Sequence, residues 1–542
     1  MPLNKKISLL LIPVFGLMTG CTKLDEKLNG SLTSDQAAAA LGSNGTALLV
    51  NAAYADLAGP FFSQDQVFSL EENTSDESLV PTRGGDWDDN GVWRVLHNHT
   101  WNADHGQITS VFNNLNKINF DATNVLAFKP TPAQAAEAKF VRAYALYYLL
   151  DLYGQYPIRN PGDNLLNPPT VKTGADAINF IISELTSALA DVPVNNGMTR
   201  ANPDAIKFLL MKCYLQKGAF LNRAAPTFDA GDMQKVVDLG TSIISSGKYS
   251  YMANYFDNFS VQKGGAGSTE GIFAYPNTSG VSANHGGIEA RWNMTLHYNS
   301  WTPNNPNAGW NGFSTISDFY NAFGAVTPTT YAPSDSLIDL RIGRRFYPGV
   351  TNVSGLRPGF LVGQQFNENG APIKDRKGAP LAYDPKIADN MIETGANLEV
   401  TGIRVIKYPP DYAHYGGPAG NWLMLFRYPD VVLMVAEAKI RKGDDAVGAL
   451  ALINGLRVAR GAAPVASMAL VNPSNVDDPT TLLAERGREL YWESYRRTDL
   501  IRFGVYLKTW QYKPTDDPKN LVFPIPNQAL SANPNLKQNP GY

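Results

Sequence analysis

Thr131-Pro132-Ala133-Gln134 has the form of a capping box with proline at the first helical position. From there the chain runs through Glu137, Ala138, Lys139, Phe140, Val141, Arg142, Ala143 and Tyr144 without a breaker until Gly154. That punctuation predicts a helix ending at Tyr153 and commits the chain to a helical frame. Asn202-Pro203-Asp204 opens another helix, through Ile206, Leu209, Leu210, Cys213 and Tyr214 to Gly218. A third runs from about Asp232 to Ser246 and stops at Gly247. Near the C-terminus the pattern recurs: Tyr428 to Lys442, a break at Gly443, then Asp444 to Arg460. Ala436, Ala438, Ala446 and Ala449 recur where helix backbones would approach. The spacing suits tetratricopeptide-like helix hairpins, although no strict 34-residue period is present. A final long helix is predicted over about Pro479 to Arg497.

Residues 60–107, 250–315 and 345–425 differ. They are rich in Gly, Pro, Asn and aromatics and show no sustained period. Compact domains seldom hold such stretches without a function or local packing, so they read as ordered loops with short strands mounted on the frame. Composition agrees with a large buried core: 44 % of residues are hydrophobic and 18 % charged. Lys and Arg number 46 against 49 Asp and Glu, so no basic excess exists to neutralise a phosphate backbone. This argues against a dedicated nucleic-acid binder. Two cysteines exclude a disulfide-stapled scaffold.

The first residues read as an address. Lys5 and Lys6 precede an apolar run from Ile7 to Leu17, too short for a bilayer span of about 20 residues. The run ends in Leu17-Met18-Thr19-Gly20-Cys21, which resembles a bacterial lipobox with Cys21 as the lipidated residue. Residues 1–20 are then a signal peptide and 21–35 a polar tether, and acyl chains hold the exported protein at a membrane surface. Cys213, among Leu209, Leu210 and Leu215, reads as a buried thiol.

Several segments together resemble the RagB/SusD family. They are Ala136–Tyr144 leading into Asp151-Leu152-Tyr153-Gly154-Gln155-Tyr156-Pro157, then Phe426-Arg427-Tyr428-Pro429-Asp430 through Ala438, and Ile453–Arg460. Glu485-Arg486-Gly487-Arg488-Glu489-Leu490 with Asp499–Gly504, and the tail Pro524-Ile525-Pro526 to Gln538-Asn539-Pro540-Gly541-Tyr542, complete the set. The resemblance runs from the lipobox to the last residue. It implies a mainly α fold over residues 36–542, a SusD-like scaffold of tetratricopeptide-like hairpins with loop-rich excursions at about 60–107 and 250–425 on the ligand side. It implies a cell-surface, outer-membrane lipoprotein that captures oligo- or polysaccharide for a SusC-like TonB-dependent transporter. Such a protein is not an enzyme and needs no cofactor. By the same resemblance Lys23, Asp25 and Glu26 look like a surface-export signal.

A sugar ring presents an apolar C–H face edged by hydroxyls, which suits an indole flanked by Asp, Asn and Arg. Trp87, Trp93 and Trp101 lie in one loop-like stretch, and Trp292, Trp301 and Trp310 in another. By resemblance Asp76, Arg83, Trp101 and Trp310 are the ligand-binding candidates, with Tyr298 and Asn311 secondary. Trp87 and Trp93 read as packing. Asp76 also fits a cap, and Arg83, before Gly84-Gly85, fits a loop-pinning partner of Asp86 or Asp88. The discriminating feature is whether Trp101 and Trp310 are exposed in one cleft.

Other chemistry is less well supported. Asp86-x-Asp88-x-Asn90-Gly91 copies half a calcium loop, but the position of the bidentate Glu is His97, so a polar turn is expected and no metal. His97, His99 and His105 lack a zinc-site completion. Glu485, Glu489 and Glu493 share a helix face, and two carboxylates about 5–10 Å apart are what a glycosidase uses. Arg486, Arg488, Arg496 and Arg497 are interleaved with them, which favours a structural ion-pair network. No G-x-S-x-G, P-loop or H-E-x-x-H occurs. Two alternatives stand beside glycan capture: a peptide- or protein-handling lid that binds no glycan, and a surface glycoside hydrolase.

Overall fold

The computed structural model describes residues 44–281, 287–300, 309–323, 339–343, 357–366, 371–414, 416–514 and 516–542. Eight helices of eleven residues or more occur among them: α1 (Gly45–Ala55), α2 (Gly106–Ala127), α3 (Pro132–Tyr153), α4 (Gly174–Asp191), α5 (Pro203–Leu221), α6 (Ala230–Ile244), α7 (Tyr428–Lys442) and α8 (Ala446–Ala459). Cys21 and Trp301 lie outside the described residues.

The punctuation read in the sequence is built as read. At the start of α3, Gln134 N donates to Thr131 Oγ1 and Thr131 N donates to Gln134 Oε1, closing the capping box. Gly154 ends the helix at φ +71°, a left-handed position that suits glycine. From Ala136 to Tyr153 only Lys139 escapes burial, so α3 is the central helix, covered on all sides. Asn202 caps α5 by accepting from Asp204 N and Ala205 N, and Gly443 ends α7 in the left-handed region.

From α2 onward each long helix packs against the next, and α1 rests on α2 and α3. The chain leaves this frame after α6 and returns at α7, yet α6 and α7 pack tightly together. Gly240 makes that approach possible: a Cβ there would stand 2.2 Å from Val435 Cγ2 and 2.7 Å from Met211 Cε. Ala436, Ala438 and Ala449 are buried as expected of contact residues, whereas Ala446, first in α8, is exposed.

The predicted helix over Pro479–Arg497 is broken. Leu482–Leu490 and Arg496–Arg502 are separate helices. Between them Trp492 (φ +56°) and Ser494 (φ +65°) turn left-handed. The freed N–H groups find buried carboxylates: Trp492 N donates to Glu77 Oε2 (3.1 Å) and Ser494 N to Glu72 Oε1 (2.6 Å). Acids from the 60–107 stretch thus satisfy the backbone where the helix stops.

Among the described residues, six of the short strands on the loop side join segments distant in sequence: β1 (Thr82–Arg83), β2 (Gly271–Tyr275), β3 (Gly359–Leu361), β4 (Ile392–Glu393), β5 (Arg404–Ile406) and β6 (Leu423–Arg427). β1 pairs with β4 in parallel, Arg83 opposite Glu393. β2 pairs with β6, and β3 with β5, both antiparallel. Single bridges join Leu79 to Ser314, Thr315 to Ile403 and Asp384 to Thr401. Three excursions distant in sequence are stitched into one face.

Beneath that face lies a buried ionic core. Glu485 contacts Arg341 (2.8 Å), Arg457 (2.5 Å) and Arg488 (2.7 Å). Glu489 contacts Arg427 (3.0 Å) and Arg460 (2.8 Å), and Glu493 contacts Arg427 (2.6 Å) and Lys407 (2.8 Å). The expected network exists, but Arg488 alone of the four interleaved arginines joins these acids. Arg486 pairs with Asp430 and Asp499, Arg496 with Asp76, and Arg497 faces Asp151. Burial alone raises a carboxyl; here the guanidiniums overcome it and hold Glu485 and Glu489 below the usual carboxylate range.

Candidate functional site

Among the described residues, Trp310 is the tryptophan that the fold leaves at the surface, 37 % exposed. Its backbone is fixed from two sides. Trp310 N donates to Asn293 O at 2.6 Å, and its carbonyl accepts from Trp87 Nε1 at 2.8 Å. Trp87, half-buried, meets Trp93 and Phe313 edge-on, with ring centroids 5.4 and 5.5 Å away. Gly312 is what lets it in, since a Cβ there would lie 2.3 Å from the Trp87 indole. Trp87 is therefore packing, as expected, and also the brace of Trp310.

Beside this pair, Tyr298 donates its hydroxyl to Asp86 Oδ2 and carries Arg376 over its ring, 3.8 Å from the centroid. Asp86 and Arg376 are both exposed. Arg376 Nε donates to Glu399 Oε1 (2.8 Å), and His297 Nε2 lies 2.8 Å from Glu399 Oε2. Burial, then the Asp86 hydrogen bond and charge, push the Tyr298 phenol up to about 12, so it stays a hydrogen-bond donor across the physiological range. Burial also holds His297 down, to about 4.

Arg83 and Asn311 form the floor. Arg83 donates to Thr401 O (2.8 Å), Thr401 Oγ1 (3.0 Å) and Leu398 O (3.3 Å). Asn311, at φ +53°, donates to the same Leu398 carbonyl (3.3 Å) and accepts from Arg404 Nη2 (2.8 Å). Both side chains are buried. Arg83 does pin its loop: its backbone bridges Asp86 (2.9 and 3.3 Å), while its guanidinium holds the 398–401 segment and pairs with neither Asp86 nor Asp88. Burial first, then the neighbouring Arg404, pulls the Arg83 guanidinium down.

The structure separates the remaining candidates from this group. Trp101 is 3 % exposed and donates its indole N–H to Tyr542 Oη at 2.6 Å, against His99 and Phe523. It shares no cleft with Trp310. Asp76 is fully buried and accepts from Arg496 Nε and Nη2, each at 2.6 Å, so its carboxylate is saturated inside the protein. Both expected ligand contacts are thereby corrected to interior roles.

The Asp86–Gly91 segment forms a polar turn. Asp88 pairs with Arg94 (3.4 Å), Asp89 accepts from Trp93 Nε1 (2.7 Å), and Asn90 and Gly91 turn left-handed. His97, His99 and His105 each bond a backbone carbonyl. Among the described residues no three His, Cys, Asp or Glu side chains converge for a metal.

What remains is exposed Trp310 and half-buried Tyr298, tied through the adjacent Trp87 and Asp86, as an aromatic platform with the Asp86 carboxylate as acceptor and the Arg376 guanidinium as donor. That combination is suited to a flat, hydroxylated ligand. Arg376 carried no local signal in the sequence. It sits in an exposed basic turn between Lys374 and Pro380, far along the chain from Tyr298.

Residues 387–542 match the sequence profile of the SusD family. Over 512 aligned residues the chain is 26 % identical to the starch-binding protein SusD of Bacteroides thetaiotaomicron, covering 88 % of this chain and 85 % of that one. Among solved structures, a SusD superfamily protein from Parabacteroides distasonis superposes with a TM-score of 0.66 at 18 % identity, over 94 % of this chain and 100 % of the other. A laminarin-binding SusD-like protein gives a TM-score of 0.66 at 20 % identity, over 92 % and 99 %. The mainly helical fold is thus one that these solved structures share.

Proposed function

The chain belongs to the RagB/SusD family, and from that premise we propose that it is a cell-surface glycan-binding protein that captures oligo- or polysaccharide on the Trp310–Tyr298 platform. The observation that carries this is the pairing of an exposed indole with a half-buried tyrosine between an exposed acid and an exposed guanidinium. The rings offer stacking faces, Asp86 accepts from sugar hydroxyls and Arg376 donates to them. The printed names of relatives, a starch binder and a laminarin binder, support the ligand class. Binding, without catalysis, agrees with Glu485 and Glu489 of the ionic core, which are paired and depressed where a general acid needs a raised pKa.

The lipobox-like Leu17–Cys21 supports anchoring through Cys21 at the outer membrane. Among the described residues no helix is long and apolar enough to cross a membrane. Delivery to a SusC-like TonB-dependent transporter rests on the family resemblance alone. An open aromatic platform suits affinities from micromolar to millimolar, about -8 to -4 kcal/mol, from which release into a transporter is easy.

The test is affinity electrophoresis of the protein from Thr22 onward through gels cast with a panel of polysaccharides. Retardation by one glycan is expected. It should vanish in Trp310→Ala/Arg376→Ala and persist in any folded Trp101 variant. Free migration in every gel overturns the glycan reading, and retardation unchanged in the double variant overturns the platform.

A further inference from the structure

A concave feature lies elsewhere on the loop-rich part of the molecule. Ser317, Asp384, Pro385, Lys386, Asp389, Gln511 and Tyr512 line an open pocket of about 590 Å³. Three chain segments are locked together around it. Gln511 Oε1 accepts from Ser317 Oγ (2.9 Å) and Asp318 N (3.2 Å), and Gln511 Nε2 donates to Tyr512 Oη (3.3 Å). Tyr512, held at φ +65°, accepts from Ile387 N and donates to Ile387 O, both at 3.0 Å. The walls are preformed.

The charged groups in this pocket do not neutralise one another. Asp384, Lys386 and Asp389 are all exposed. Asp384 Oδ1 accepts from Lys386 N (2.9 Å), which orients the turn. Among the described residues, no ion pair within 4 Å joins any of the three side chains to a partner. Surface acids and lysines this close in sequence commonly pair; here the fold keeps an ammonium and two carboxylates apart around one opening. Such a set supplies separate donors and acceptors beside the half-buried face of Tyr512. That is chemistry for a polyhydroxylated ligand, as on the platform.

Two connections tie pocket to platform. Asp384 N donates to Val400 O (2.8 Å) and Gly402 N to Asp384 O (2.7 Å), so the pocket wall hangs from the segment whose Leu398 and Thr401 hold Asn311 and Arg83. The chain also runs from Trp310 to Ser317 in seven steps, which limits the separation of the two residues to about 25 Å. We infer that the pocket of Asp384, Lys386, Asp389 and Tyr512 is a second glycan subsite, occupied by the continuation of a chain whose first rings stack on Trp310 and Tyr298. The inference rests on the glycan reading above. It makes the protein a reader of chain length: an oligosaccharide that reaches both sites binds the second intramolecularly and gains affinity without a change in either site.

The experiment uses an oligosaccharide ladder, disaccharide to octasaccharide, prepared from the polysaccharide that retards the unsubstituted protein, with affinities measured by calorimetry. Affinity should step up by about tenfold or more once the chain spans both sites. Lys386→Ala/Asp389→Ala, at two exposed positions, should remove the step, leave the shortest binding oligosaccharide unchanged and keep the thermal midpoint. Trp310→Ala should weaken every length. A step that survives in the Lys386/Asp389 variant, or no step in the unsubstituted protein, overturns the second subsite while the platform stands. If no polysaccharide retards the protein, the glycan reading and this inference fall together.

Discussion

Arg427 and Arg376 each lie beside glutamates and over a tyrosine ring, and their settings differ in one respect. Arg427 has its donors engaged: Nε and Nη2 on Glu493 (2.7 and 2.6 Å), Nη1 on Glu270 and Glu489 (2.8 and 3.0 Å), and Nη2 also on the Glu489 carbonyl (3.0 Å). Its side chain is 1 % exposed. Arg376 spends Nε on Glu399 and leaves its Nη groups without a protein acceptor among the described residues, at 52 % exposure. A guanidinium surrounded by acids is a fixture, whereas one with spare donors at the edge of an aromatic platform has capacity for a ligand. Around Arg427 the interior is filled with paired charge, whereas at Arg376 on the loop face the pairing is incomplete.

The strongest way to break this comparison is Arg427→Met. It strands Glu270, Glu489 and Glu493 with too few cations and should cost about 3–5 kcal/mol in chemical denaturation. A loss below about 1 kcal/mol would mean the core tolerates unpaired acids and differs from the surface only in depth. Asp76→Asn comes next. It weakens the bidentate clasp on Arg496 and should cost about 2–3 kcal/mol, with glycan retention by the folded protein unchanged. Lost retention with an intact fold would return Asp76 to the ligand site.

Stability against pH sharpens the comparison further. Burial first pushes the Glu77 carboxyl up, to about 7, despite the neighbouring Arg496. The folded protein therefore holds a proton there that the unfolded chain releases. This contribution is complete below the ordinary carboxylate range and declines as pH climbs to 7. Glu77→Gln should flatten that decline in melting midpoints taken from pH 4.5 to 8, and an unaltered slope would assign it elsewhere. The smallest effect belongs to Tyr298→Phe, which removes one hydrogen bond to exposed Asp86. Stability should change by less than about 1 kcal/mol and glycan affinity by less than about fivefold, read by denaturation and calorimetry. A larger loss of affinity would make the hydroxyl itself a ligand contact.

These cases also explain what was legible in the sequence. The capping box at Thr131, the Asn202 cap and the Gly154 and Gly443 stops depend on neighbours within a few positions, and the helices begin and end where those residues say. The break at Trp492 depends on Glu72 and Glu77, more than four hundred positions earlier, so no local pattern announces it. Asp76 and Trp101 looked like ligand residues because they lie in a polar, aromatic stretch. Their partners, Arg496 and Tyr542, are 420 and 441 positions away. The i, i+4 spacing of Glu485, Glu489 and Glu493 correctly announced ion pairing, but the partners come mainly from other segments. Arg376 joins the platform through the path of a loop, and residue type alone does not encode that path.

The tail carries a consequence for how such a chain is assembled. Asn539 donates its side-chain amide to Tyr153 O, at the end of the central helix, and to Phe523 O. Tyr542 accepts the Trp101 indole and donates towards Asn520 and Val522. The first of these contacts spans 386 positions, so a loop of that size must close before the interior around α3 is finished. A polypeptide made N-terminus first cannot close the Trp101–Tyr542 contact until its final residues arrive. The aromatic cluster around Trp101 is then completed only when the last segment docks, however early the helices before it have formed.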